Sequence, residues 1–170
     1  VRVSAINMAS QTLFENLNVW PDITENRLLP YQKMHIWDKG GLGKLDFSLN
    51  DLGHFLQHEN LGWIIENNVI RNALWKKAQA DEEVRFFTDH TLASITEGDS
   101  EVFVSFDDSL AASKGSQTPL IAKLVIGADG ANSWVRQQIA IPMITRDYDH
   151  HAIVATIKCS QGHKNTAWQV

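Results

Sequence analysis

Asp129, Ser133 and Arg136 are the residues whose types and spacing suggest chemistry, set in the run Lys123 to Arg136, KLVIGADGANSWVR. Gly127, Ala128 and Gly130 leave little side-chain bulk around Asp129, so a backbone or a large planar ligand can approach the turn. Asn132 or Ser133 can cap a short helix running through Arg136, with backbone N–H donors at its start and a cation one turn later. An acidic turn followed by a helix start suits an extended ligand carrying hydroxyls and phosphates. A purely structural reading stands beside it, in which Asp129 caps the helix and Arg136 forms a salt bridge within its own turn.

The elements that would position this turn follow from hydrophobic patterning. Leu124, Val125 and Ile126 form an apolar run too short for a core helix, so it predicts a strand buried on both faces. Upstream, Ser4 or Asn7 caps a helix over Met8 to Leu17, with Ala9, Leu13, Phe14 and Leu17 near one stripe, and Asn18 and Trp20-Pro21 stop it. After a Pro30 break, Met34–Asp38 and Lys44–Ser48 alternate around Gly40, Gly41 and Gly43, which predicts an antiparallel hairpin. Leu49 to Asn60 reads as a loop with one helical turn. Gly62 to Ile65 is a strand, and Asn67 or Asn68 caps a helix to about Ala80 with Val69, Ile70, Ala73, Leu74 and Trp75 inward. Val84–Phe87, Leu92–Thr96 and Val102–Phe106 are candidate strands, Gly98-Asp99 a turn, and Asp108 to Thr118 an exposed loop. Ala152 to Lys158 is the last expected strand, with no closing element at Trp168–Val170.

Composition narrows the classes. The 170 residues, 44% hydrophobic, suffice for a sizeable core. A net charge of −5 without a basic cluster argues against a nucleic-acid surface. No apolar run approaches the length of a spanning helix, no signal peptide is evident, and the single Cys159 reads as a buried or half-buried thiol, so a cytoplasmic location is expected. His54 and His58 are four apart but lie beside Gly53, a solvated loop rather than a metal site, and His150-His151 before a strand would point to opposite faces. The six tryptophans are scattered without basic neighbours and suit core packing.

The Asp129 run also resembles the second flavin fingerprint of the aromatic-ring hydroxylases. That pattern has a charged residue, three hydrophobic and two small ones, Asp-Gly, a Ser three further on, and an Arg three after that. Lys123, Leu124 to Ile126, Gly127-Ala128, Asp129-Gly130, Ser133, Val135 and Arg136 fill it in order, and only Asn132 departs from a preferred charge. Together with RVSAI at Arg2, GWIIENNVIRNAL at Gly62 and YDHHAIVATI at Tyr148, the chain is similar to the ubiquinone-biosynthesis hydroxylases, flavin monooxygenases acting on polyprenylated phenols.

The resemblance implies an α/β fold, α+β in this stretch, of the p-hydroxybenzoate-hydroxylase type, with an FAD domain interleaved with a β-sheet substrate domain. It apportions residues 1–27 and 61–140 to the FAD domain, and 28–60 and 141–170 to the substrate side. FAD is the implied cofactor and NAD(P)H the electron donor; oxygen reacts with the reduced ring and a hydroxyl passes to an electron-rich phenol. By the same analogy Arg2 lies near the flavin phosphate, Asn67 reaches the flavin, Asp129 and Gly130 lie against it, and Ser133 and Arg136 order the turn. Arg2 as a surface arginine and Asn67 as a helix cap are the structural alternatives. No catalytic acid, base or metal ligand is assigned. A Gly-x-Gly-x-x-Gly turn and a later Gly-Asp-Ala-Ala-His type motif, both expected of the family, do not occur, so the chain reads as the middle of such an enzyme, or as a non-catalytic ligand- or partner-binding module of the same descent. Exposed sheet edges would then favour homo-oligomers, and a greasy quinone-like substrate leaves contact with a membrane periphery or a biosynthetic complex open.

Overall fold

The computed structural model of the chain describes residues 2–55, 59–107 and 119–170. They form two units, Val1–Val84 with His151–Val170, and Arg85–His150. Helices and sheets are mixed in the way an α/β class requires.

In the first unit, β1 (Val3–Asn7) runs directly into α1 (Met8–Asn16). The switch is local: Asn7 is extended, and its side-chain oxygen accepts from the Ser10 N–H at 2.8 Å, satisfying one of the free donors at the helix start. Asn18 takes a left-handed φ of 55° and ends the turn that follows. The first helix ends before Trp20-Pro21 as expected, and Pro21 opens a new one. It sits in the first turn of α2 (Trp20–Thr24), where a missing N–H costs no hydrogen bond.

Three antiparallel strands follow in the order β1-β5-β2, with β2 spanning Leu28–Tyr31 and β5 spanning Gly62–Glu66. Pro30 therefore lies inside a strand instead of breaking one, which is tolerable because β2 is an edge. Gly62, at the centre, is fixed by crowding: a Cβ there would run into the Ile6 carbonyl oxygen and the Tyr31 hydroxyl. α3 (Asn67–Gln79) leaves β5 at once. Val19, Ile23, Ile65 and Ala73 form the buried centre, with Phe14, Trp20, Trp63 and Ile70 packed around it. Trp20 and Trp63 meet edge to face at 5.4 Å, and the Trp63 indole N–H donates to Gln11 at 2.6 Å. Leu74 and Trp75, expected inward, are exposed, because they stand one and two steps of about 100° beyond Ala73 around the helix. Lys76 bonds Asp22 at 2.5 Å and ties α3 to α2; that bond raises the Lys76 pKa above its ordinary value.

The same unit carries a second sheet, β4-β3-β9. β3 (Lys33–Trp37) and β4 (Lys44–Ser48) are the expected antiparallel hairpin. β9 (Thr166–Gln169) pairs with β3 in parallel, so the chain does have a closing element. The strand expected over Ala152–Lys158 does not form: those residues pair with no strand among the described residues, and they are exposed. His150 and His151 accordingly have no opposite strand faces to occupy, and Cys159 is exposed instead of buried. Leu49–Phe55 makes short 3-10 turns broken at Gly53, whose φ is 64°. His58, and with it the His54 and His58 pair, lies outside the described residues.

The second unit is a three-stranded antiparallel sheet, β6 (Thr91–Glu97), β7 (Val102–Asp107) and β8 (Leu120–Ala122), with α4 (Trp134–Gln138) beyond it. The Gly98 N–H donates to the Glu101 carbonyl at 2.8 Å and closes the expected turn. Val84–Phe87 is not a strand; Phe87 instead stacks on Phe106 at 5.8 Å. The loop expected over Asp108–Thr118 lies outside the described residues.

The larger correction concerns Leu124–Ile126. No ladder forms there, and Leu124 and Ile126 are 73% and 76% exposed, with only Val125 half-buried. β8 ends at Ala122, and among the described residues no strand pairs with the next four. An apolar run without a hydrogen-bonding neighbour leaves its backbone groups to water and so stays irregular.

Candidate functional site

The turn at Asp129 is built from its own hydrogen bonds. Ser133 Oγ donates to Asp129 Oδ1 at 2.5 Å, and the Trp134 and Val135 N–H groups donate to Oδ2 at 2.6 and 3.2 Å. Ser133 Oγ in turn accepts from the Arg136 N–H at 3.0 Å, which makes Ser133 the N-cap of α4. The Ser133 hydroxyl is the chief cause holding the Asp129 carboxyl below its ordinary pKa; desolvation opposes it and the backbone N–H groups add to it. Asp129 thus stays ionised and serves as a fixed acceptor with both oxygens engaged.

Two glycines shape the turn for different reasons. A Cβ on Gly127 would stand 3.1 Å from the Val135 side chain, so this position permits close packing of the approach segment on α4. Gly130 has φ +89° and nothing within 4 Å of where a Cβ would be. Its requirement is conformational, and the space beside it is open. Next to Asp129 lies a cleft of about 650 Å³, lined by His90, Leu92, Val104, Val125 and Trp134 among others. Neither His90 nor Trp134 is among the site residues expected from the sequence, where the tryptophans are assigned to core packing. Trp134 stood in plain view beside the cap, whereas His90 reaches the cleft only through the placement of β6.

Arg136 is half-buried and makes no ion pair among the described residues, so the salt bridge expected of its turn is not formed. Its backbone serves instead, the N–H to Ser133 and the carbonyl to Ile141 N at 3.1 Å. Asn132 contributes its carbonyl to Gln137 and no cap.

Arg2 and Asn67 belong to the other unit and are neighbours there: the Asn67 N–H donates to the Arg2 carbonyl at 2.9 Å. Asn67 is the first residue of α3, not its cap, since Glu66 holds the cap position without a side-chain bond. The Asn67 side-chain oxygen accepts from Ser4 Oγ at 2.7 Å, fixing the amide across β1. The Arg2 side chain is exposed and makes no ion pair among the described residues. No group of three or more His, Cys, Asp and Glu residues able to hold a metal occurs among the described residues.

Comparison with known proteins gives these features a setting. The family described as FAD binding domain matches residues 6–167. The chain is 30% identical over 160 residues to the mitochondrial ubiquinone biosynthesis monooxygenase COQ6 of Dictyostelium discoideum, covering 93% of this chain and 32% of that protein. With human COQ6 the identity is 32% over 171 residues, covering 99% of this chain and 35% of the relative. With the 3-demethoxyubiquinol 3-hydroxylase of Escherichia coli it is 31% over 169 residues, covering 99% and 40%. The chain therefore spans about a third of the length of the first two relatives and two fifths of the third. Among solved structures, FqzB superposes with a TM-score of 0.58 at 17% identity, over 81% of this chain and 29% of that one. The tetracycline destructase Tet(51) gives 0.52 at 19%, over 81% and 31%; both show likeness of fold.

One expectation falls here. The COQ6 relatives of Dictyostelium, rat and human are named mitochondrial, which overturns the cytoplasmic location expected from composition. No helix among the described residues is long and apolar enough to cross a membrane. With the family match extending over nearly the whole chain, the chain belongs to the FAD binding domain family and, within it, is similar to the ubiquinone-biosynthesis monooxygenases.

Proposed function

We propose that this chain is the central part of an FAD-dependent monooxygenase that hydroxylates a polyprenylated phenol in ubiquinone biosynthesis, with NAD(P)H as electron donor. The observation that carries the reading is the Asp129 turn, in which an ionised carboxylate, a capping serine and a positive-φ glycine open onto a cleft within an FAD-family match. The turn fits the cofactor: the space at Gly130 admits a planar or extended group, and the carboxylate is already oriented. Asp129 and Gly130 would lie against FAD, with Ser133 and Arg136 holding the turn; Arg2 and Asn67, neighbours in the first unit, are the other two residues for which the family resemblance implies flavin contact. When bound, the flavin supplies electron transfer and oxygen activation; the chain's residues supply position and exclusion of water.

The substrate side of the proposal rests on the second sheet of the first unit. β3 and β4 are joined there by β9, which returns after the residues of the other unit, a topology suited to a substrate sheet interleaved with the flavin domain. Exposed Leu124, Ile126 and Ile144 in the second unit, and exposed Ile153 in the first, support association, as homo-oligomers or with a biosynthetic complex or membrane periphery.

The test is an FAD titration of the chain followed by flavin fluorescence, alongside hydroxylation of a prenylated phenol by the full-length gene product. Saturable binding together with NAD(P)H-dependent hydroxylation is expected. A full-length product that binds FAD but leaves the phenol unchanged would refute the substrate assignment. Failure of the full-length product to bind FAD would favour a non-catalytic binding module.

A further inference from the structure

The face of the β4-β3-β9 sheet that carries His35 holds a row of side chains with a ligand chemistry of its own. Register places Asp46 of β4, His35 of β3 and Trp168 of β9 side by side across three strands. Asp46 Oδ1 is hydrogen-bonded to His35 Nδ1. An ionised carboxylate only accepts, so Nδ1 is the donor of this pair, and in the neutral form of the ring the lone pair therefore lies on Nε2. Nε2 has no protein partner among the described residues, and the His35 side chain is only 25% exposed. Trp37, two residues along β3, and Trp168 stand 5.5 and 5.1 Å from the His35 ring and 6.3 Å from each other. Trp168 is 59% exposed, so much of its indole surface is available to a second ring.

We propose that this row binds a planar aromatic ring bearing an acidic hydroxyl, the ring packed against Trp168 and Trp37 and the hydroxyl hydrogen-bonded to His35 Nε2. The ligand class follows from the groups present. An oriented acceptor calls for a donor, the two indoles call for a flat apolar body, and strand alternation puts Lys33 and Lys44 on the same face, where positive charge favours a phenolate. In the bound state the phenol O–H bond lengthens toward Nε2; on full transfer the proton rests on Nε2, the electron pair stays on the phenolate oxygen, and Asp46 stabilises the resulting imidazolium. Asp46 is a positioning residue, acting through His35. The site rests on the phenol hydroxylase reading for its physiological ligand, but not for its chemistry.

The test uses 4-nitrophenol, coloured as the phenolate and nearly colourless as the phenol, titrated with the full chain at constant pH. The wild-type protein is expected to raise the phenolate band saturably, Asp46→Asn to lose most of that rise, His35→Gln to abolish it, and Trp168→Leu to weaken binding. Lys76→Gln, on α3, is expected to leave the band at the wild-type level. Asp46 is 71% exposed, so its asparagine variant tests the site in a folded protein even if His35→Gln does not fold. Displacement of the dye by a short-chain 2-prenylphenol supports the proposal; no band in the wild type, or an equal band in Asp46→Asn, overturns it. The FAD titration is independent: a chain that binds FAD but gives no band defeats only the ring site, and a band without FAD binding defeats only the flavin reading.

Discussion

Gly130 separates the turn's backbone requirement from its space requirement. With φ at +89° and no atom within 4 Å of a built Cβ, an alanine there meets no clash but adopts a conformation that L residues resist by about 1–2 kcal/mol. In a domain of about 60–100 residues, each kcal/mol corresponds to roughly 4–8 °C in Tm. Asparagine enters positive φ far more readily than alanine, so Gly130→Asn is expected to recover most of that loss while filling the open space. The two variants should therefore diverge. Gly130→Ala lowers Tm by several degrees, whereas Gly130→Asn leaves Tm near wild type and still weakens FAD, because its side chain stands where the cofactor would approach. Thermal unfolding by circular dichroism and flavin fluorescence titration give the two readouts. An asparagine variant with wild-type Tm and wild-type FAD affinity would refute close cofactor approach, and a Tm unchanged in the alanine variant would refute the strain argument itself.

Other expectations are simpler to state. The Asp129 pKa is depressed in the folded protein, so its contribution to stability is complete above the ordinary carboxylate range and is lost as pH falls through the depressed value; the Tm difference between wild type and Asp129→Asn should shrink over that acidic window and stay constant at neutral pH. Ile65→Ala removes a fully buried side chain from the central strand and should cost about 2–5 kcal/mol in urea unfolding, while Leu124→Ala should change stability by less than about 0.5 kcal/mol. Gly62→Ala drives a methyl group into the Ile6 carbonyl and the Tyr31 hydroxyl and should cost about 1–3 kcal/mol or more, whereas Gly162→Ala, with open space around it, should have little effect by the same assay. Sedimentation at increasing concentration should reveal association driven by the exposed apolar residues; a single monomeric species throughout would count against the oligomer proposal.

Local signals in the sequence were legible where one short segment decides the outcome. Asn7, Ser133, the glycines between β3 and β4, and the stripe through Val69, Ile70 and Ala73 each specify a cap, a turn or a helix face within a few residues. What patterning does not carry is the identity of the neighbour. Leu124–Ile126 has the composition of a buried strand, yet burial and pairing depend on a partner that the described residues do not provide. Thr166–Gln169 lacks alternation and still becomes a strand, because β3 offers a free edge in the right register. Asn67 shows the same limit at a candidate site: its type predicts a cap, but the Ser4 hydroxyl across β1 claims its side chain. The Asp129 turn was readable as a turn; the cleft beside it required His90, the residue just before β6.

The parallel pairing of β3 with β9 also governs the order in which the chain can fold. Gln32, at the entrance to β3, receives from the Leu49 N–H on its carbonyl, donates its own N–H to the Asn165 carbonyl, reaches the Glu59 carbonyl through its amide, and accepts from the Asn165 side chain 133 residues away in sequence. During synthesis the hairpin partner β4 emerges directly after β3, but the other flank of β3 stays unpaired until β9 has left the ribosome. At roughly 5–20 residues per second that interval lasts on the order of ten seconds, with a strand edge available to any other chain. Closing so long a loop is slow in any case, which makes the docking of β9 a late step and the nascent chain a natural client for chaperones that bind exposed strands.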